Sequence, residues 1–74
     1  MKTQHAVILV YSTSHAIRIE KLLKEISVPC KLVPVPRHLS SDCGVCVRVN
    51  LIDIDTAKKA VQTGQVDIEG FYEI

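Results

Sequence analysis

Apolar residues fall in two rhythms along the chain. Ala6 to Tyr11 is a continuous apolar run with β-branched members, which predicts a strand buried on both faces. Ser12-Thr13-Ser14 then offers hydroxyls to accept from the unpaired N–H groups of a helix start. Ala16, Ile19, Leu22, Leu23 and Ile26 follow at helical spacing, with Arg18, Lys21, Lys24 and Glu25 turned outward. Glu20 and Lys24 stand in the favourable i,i+4 order. Pro29 cannot continue a helix, so the helix is expected to end near Ser27.

Cys30 to Val35 reads as a second strand, and Pro29, Pro34 and Pro36 place it at a sheet edge because proline cannot donate to a ladder. Arg37 to Gly44 is a polar loop. Val45, Val47 and Val49 alternate with Cys46, Arg48 and Asn50, the period of a half-buried third strand. Asp53 or Asp55 is expected to cap a second helix carrying Ala57, Ala60 and Val61, with Gly64 as its stop. Val66 to Ile74 is the expected fourth strand, interrupted at Gly70.

The order βαββαβ predicts an α+β fold: a ferredoxin-like sandwich with both helices on one face of a four-stranded antiparallel sheet. Right-handed crossovers give the strand order 4-1-3-2. In that topology the first strand ends where the second turns into the third. The Ser12–His15 segment and the Arg37–Cys43 loop are therefore expected near one another.

Seventy-four residues are read as a single domain, 1–74, with no linker, repeat or low-complexity tract. A domain of this size buries only roughly 60% of its unfolded surface, and a 47% hydrophobic content answers that demand. The net charge of +1 comes from scattered Lys and Arg, and the aromatics are only Tyr11, Phe71 and Tyr72. That pattern argues against nucleic acid, which calls for a basic stripe and stacking rings. No apolar run approaches the ~20 residues of a membrane span. The start of the chain looks like a buried strand, not a signal peptide, so a cytoplasmic location is expected. Three cysteines in a reducing compartment point to free thiols.

Cys43-Gly44-Val45-Cys46 is a CxxC, the spacing of metal sites and redox pairs. If Val45, Val47 and Val49 face the helices, however, Cys46 points to the other side of the sheet. A zinc set of Cys30, His38, Cys43 and Cys46 would need Cys30, which starts a strand at the far end. No metal and no cofactor are expected. Cys30 and Cys46 are read as packing residues, and Arg48 as a solvent-facing charge or part of a partner surface. A single reactive thiol at Cys43 fits better. The start of the first helix, with Ser14 and His15, and the loop residues Arg37 and His38 would favour a thiolate beside Gly44. The residues alone leave a reactive thiol and a small buried filler equally open.

Val33-Pro34-Val35-Pro36-Arg37-His38-Leu39-Ser40-Ser41-Asp42-Cys43-Gly44 resembles the signature of the selenium/sulfur carrier protein-like family: a Pro-Arg pair, a short polar loop with serines, then Cys-Gly entering an apolar strand. Ser14-His15-Ala16 with Glu20 matches that family's helix start, and the resemblance runs from about Val7 to Ala60. It implies a small bacterial protein, of a type also found fused to sulfur-carrier domains. It makes Cys43 the carrier thiol, with Pro36, Arg37 and Gly44 shaping its loop. Cys46 departs from the pattern, whose residue there is usually small or apolar.

Three readings follow. In the first, Cys43 carries sulfur or selenium as a persulfide or selenopersulfide between donor and acceptor proteins, a carrier more than a true enzyme. In the second, the domain is a regulatory or interaction module without thiol chemistry, and a homodimer through the open sheet face is open to it. In the third, Cys43 and Cys46 form a thiol–disulfide redox pair.

Overall fold

A computed structural model describes residues 4–39 and 44–74. The elements are β1 (His5–Leu9), α1 (Thr13–Glu25), β2 (Cys30–Pro34), β3 (Val45–Asn50), α2 (Ile54–Thr63) and β4 (Gly70–Glu73), with a 3-10 turn over Leu51–Asp53 leading into α2. The fold is α+β. Its strands form one antiparallel sheet in the order β2-β3-β1-β4, which counted from the other edge reads 4-1-3-2. β2 lies at an edge, where Pro34 within it and Pro29 and Pro36 beside it are tolerated.

The strand period of two sorts the sheet into two faces. Ala6, Ile8, Val47 and Val49 point to the side where Ala16, Ile19 and Leu23 of α1 and Ala57 and Val61 of α2 pack with them. Both helices thus bury their apolar stripes in one core. Val7, Leu9 and Cys46 point the other way and form a second, thinner cluster with Val33, Val35 and Leu39.

Of the three hydroxyl residues offered for the start of α1, Ser12 is the cap, its hydroxyl accepting from the His15 N–H at 3.4 Å. Glu20 and Lys24 pair at 3.8 Å. Each helix ends in the same hydrogen-bonded motif. Ser27 (φ 62°) and Gln65 (φ 55°) take the left-handed conformation. In α1 the N–H of Ser27 donates to the Lys24 carbonyl at 3.1 Å, and that of Val28 to Leu23 at 2.9 Å. In α2 the N–H of Gln65 donates to Gln62 and that of Val66 to Val61, both at 3.2 Å. These are Schellman ends, with the buried pairs Val28/Leu23 and Val66/Val61 supplying the accompanying apolar contact.

Four expectations about the elements are corrected. β1 stops at Leu9: Val10 is buried outside the ladder, and Tyr11 is 52% exposed. Ile26 lies past the end of α1 and is 48% exposed, because the Schellman turn rotates it off the core face. Asp53 occupies the N-cap of α2 but makes no side-chain capping bond, the helix being entered directly from the 3-10 turn. The fourth strand begins only at Gly70, since the Val66 N–H is already committed to the end of α2. Gly64 is the C-cap of α2, yet its backbone is right-handed (φ −78°). A Cβ there would stand 2.5 Å from Leu22 Cδ1 and 3.3 Å from the Ala60 carbonyl oxygen, so the glycine serves helix–helix approach.

Candidate functional site

The candidate loop grows out of the β2–β3 hairpin. Pro34 pairs with Val45, and one further bond, Val35 N–H to the Gly44 carbonyl at 3.2 Å, closes its base. A turn follows in which the Leu39 N–H donates to the Pro36 carbonyl at 3.0 Å, with Arg37 and His38 at its two central positions. Proline suits this start because its own missing N–H is not asked for. Arg37 and His38 are exposed. Cys43, with residues 40–42, lies outside the described residues.

Gly44, the residue the resemblance gives a part in shaping the loop, precedes β3 directly. It is exposed, and a Cβ built on it meets no described atom within 4 Å, so space is not what calls for glycine there.

Leu39 was not anticipated as a site-forming residue. It is the only aliphatic side chain between Val35 and Val45, and it packs against the Val7, Leu9 and Cys46 cluster. It anchors the turn to the sheet face away from the helices. The signal was present in the sequence as a lone leucine in a polar loop, but periodicity does not say what such a residue covers.

Register brings the end of β1 and the base of the hairpin to one end of the sheet, with Leu9 paired to Cys46 and Pro34 to Val45. Ser14 is exposed in the first turn of α1. His15 is half-buried, and its Nδ1 is buried without a hydrogen-bond partner among the described residues. The sheet lies between the two groups in one respect: α1 packs on one face, and Leu39 pins the loop to the other.

The two described cysteines are separated just as clearly. Cys46 is 0% exposed in the thin layer, and its Sγ reaches the Pro34 carbonyl at 3.9 Å. Its burial removes it from any uncovered sheet surface that a homodimer of the interaction-module reading would use. Cys30 packs toward α1, where its thiol donates to the Glu20 carbonyl at 3.7 Å. Burial pushes the Cys30 thiol above its ordinary pKa. The Glu20 carboxylate pushes the same way, and Lys24 opposes both. A thiol on each face cannot serve one metal ion, so the nominal Cys30/Cys46 zinc set is not assembled. Among the described residues no group of three or more His, Cys, Asp or Glu is placed to hold a metal. No described helix is long and apolar enough to cross a membrane.

A family model described as "Putative Se/S carrier protein-like" matches residues 5–73. Neither curated proteins nor solved structures yield a match to the chain.

Proposed function

The chain belongs to the Se/S carrier protein-like family, and from that premise we propose that it carries a sulfur or selenium atom on Cys43 between partner proteins. The Cys43 thiolate attacks the terminal sulfur of a donor protein's persulfide. A new Sγ–S bond forms, the donor's S–S bond breaks, and its electron pair leaves on the donor thiolate. The loaded Cys43 persulfide then meets an acceptor thiolate in the same exchange, so the chain is recovered unchanged and no net oxidation occurs. A selenopersulfide follows the same course. On this reading the protein is a shuttle more than a true enzyme, cytoplasmic, and needs no cofactor. Its crossovers are the right-handed ones of a ferredoxin-like sandwich.

The observation that supports this reading is the sequestration of the other two thiols. Cys46 is wholly buried, and Cys30 is hydrogen-bonded with its ionisation suppressed. A carrier needs one thiolate that others can reach, and the sequence offers only Cys43 besides these two. Arg37 and His38, exposed on the same loop, supply cationic and polar character, and Ser14 and His15 stand at the helix start toward that end of the sheet. The burial of Cys46 weighs against a Cys43/Cys46 redox pair. Donor and acceptor proteins are the partners this chemistry requires.

The test is to incubate the protein with a persulfide-loaded donor and read each cysteine peptide by mass spectrometry. Gain of one sulfur atom on Cys43, retained in Cys46→Ser and lost in Cys43→Ser, is the expected result. Loading on Cys30 or Cys46, or none on a folded protein, overturns the reading.

A further inference from the structure

At the end of the sheet opposite the base of the β2–β3 hairpin, a concavity of about 140 Å³ is lined by His5, Pro29, Cys30, Lys31, Arg48, Val49 and Asn50. Lys31 and Arg48 are direct cross-strand partners, and His5 and Asn50 are partners one row further on. By strand alternation all four share the face of Val7, away from the helices. Cys30 and Val49 belong to the opposite, helix-side core, so they contribute only the floor. Like charges directly opposite one another on a sheet destabilise it. Among the described residues no Asp or Glu lines the cavity to offset them, and Arg48 is half-buried, which raises the cost further.

We propose that this cavity binds a tetrahedral oxyanion, a phosphoryl group or its inorganic equivalent. The Arg48 guanidinium offers a planar fork of donors matched to two oxygens of such a group. Lys31 adds a mobile ammonium from the edge strand, and the Asn50 amide and the His5 imidazole have N–H groups for the remaining oxygens. A bridging dianion turns the Lys31/Arg48 repulsion into two attractions. The volume suits one compact anion. This site is independent of the Cys43 reading: it shares no residue with the β2–β3 loop, whose base at Pro34 and Val45 lies at the other end of β3.

The experiment titrates inorganic phosphate into the protein at constant ionic strength, following backbone amide resonances and the thermal midpoint. Saturable shifts centred on Lys31, Arg48 and Asn50, with a rise in midpoint as binding requires, are expected. Arg48→Gln and Lys31→Gln should each weaken binding by about tenfold or more, the loss of one charge-assisted contact. Lys31→Gln should also raise the midpoint in phosphate-free buffer by removing the like-charge pair, a readout that holds if Arg48→Gln fails to fold. Lys59→Gln, outside the cavity, should change nothing. A parallel titration with a phosphate monoester distinguishes the sources. Binding at least as tight as phosphate points to a phosphorylated metabolite, and weaker binding points to the free ion. Shifts that never saturate, or a saturable site unmoved by both cavity substitutions, overturn the proposal.

Discussion

Cys30 and Cys46 sit on opposite faces of the same sheet: one donates to the Glu20 carbonyl at 3.7 Å on the helix side, the other is sealed beneath Leu39. Neither can approach the other without dismantling the sheet, so the native protein should form no disulfide between them. Alkylation at neutral pH should label Cys43 first, Cys30 slowly and Cys46 only on unfolding, as read by mass spectrometry over time. Labelling of Cys46 at the rate of Cys43 in folded protein would contradict the burial described above.

The cationic loop residue gives a second test. Arg37→Ala should slow alkylation of Cys43 severalfold near neutral pH, because an exposed charge paired with a thiolate is worth roughly 0.2–1 kcal/mol. The effect should shrink at high salt, where exposed charges are screened within roughly 10 Å or less. An unchanged rate at low salt would show that Arg37 does not act on the thiol.

Cys30 makes stability depend on pH in one direction. Its thiol is raised in the folded chain, by burial first and Glu20 second, whereas an unfolded thiol ionises near ~8.5. Above that value the folded state holds more protons than the unfolded one, so stability is full below it and falls as pH rises toward the folded pKa. Urea unfolding should show this loss in the wild type, and Cys30→Ala should flatten that part of the curve. Identical pH slopes in both proteins would remove Cys30 as the cause.

The helix ends are open to improvement. Ser27 and Gln65 hold left-handed backbone (φ 62° and 55°) with side chains that disfavour it. A non-glycine residue there costs roughly 1–2 kcal/mol, and glycine's greater freedom in the unfolded chain returns part of that. Ser27→Gly and Gln65→Gly should each stabilise the protein by about 0.5–1 kcal/mol, additively, since they end different helices. A lower thermal midpoint in either would mean that the side chain contributes more than the backbone strain it causes.

Gly64 is the opposite case. Its backbone tolerates alanine, but the added Cβ would meet Leu22 Cδ1 at 2.5 Å and the Ala60 carbonyl at 3.3 Å. Gly64→Ala should destabilise by about 1–2 kcal/mol, the cost of overpacking. In a Leu22→Ala background the same change should cost much less, a coupling that a double-mutant cycle would read.

The sequence by itself determined the element order, the two faces of the third strand and the short hydroxyl segment that caps α1, because these follow from local periodicity and local hydrogen bonding. Val47 and Val49 alternating with Cys46 sufficed to predict that Cys46 turns from the helices, and the prolines around Cys30–Pro34 sufficed to put that strand at an edge. Propensity fails where a residue's backbone is committed to a non-local purpose. Gly64 does close α2 as its composition suggests, yet the left-handed residue is Gln65, and a Cβ at Gly64 would press on Leu22 of the other helix. Tertiary structure alone decided that Leu39 packs against Val7, Leu9 and Cys46, and so what covers the packing thiol on the face away from the helices. It also decided that Lys31 and Arg48, seventeen positions apart in the sequence, meet across a strand pair. Such contacts depend on register and loop closure, which are set by the packing of the whole chain and leave no periodic trace in any one segment.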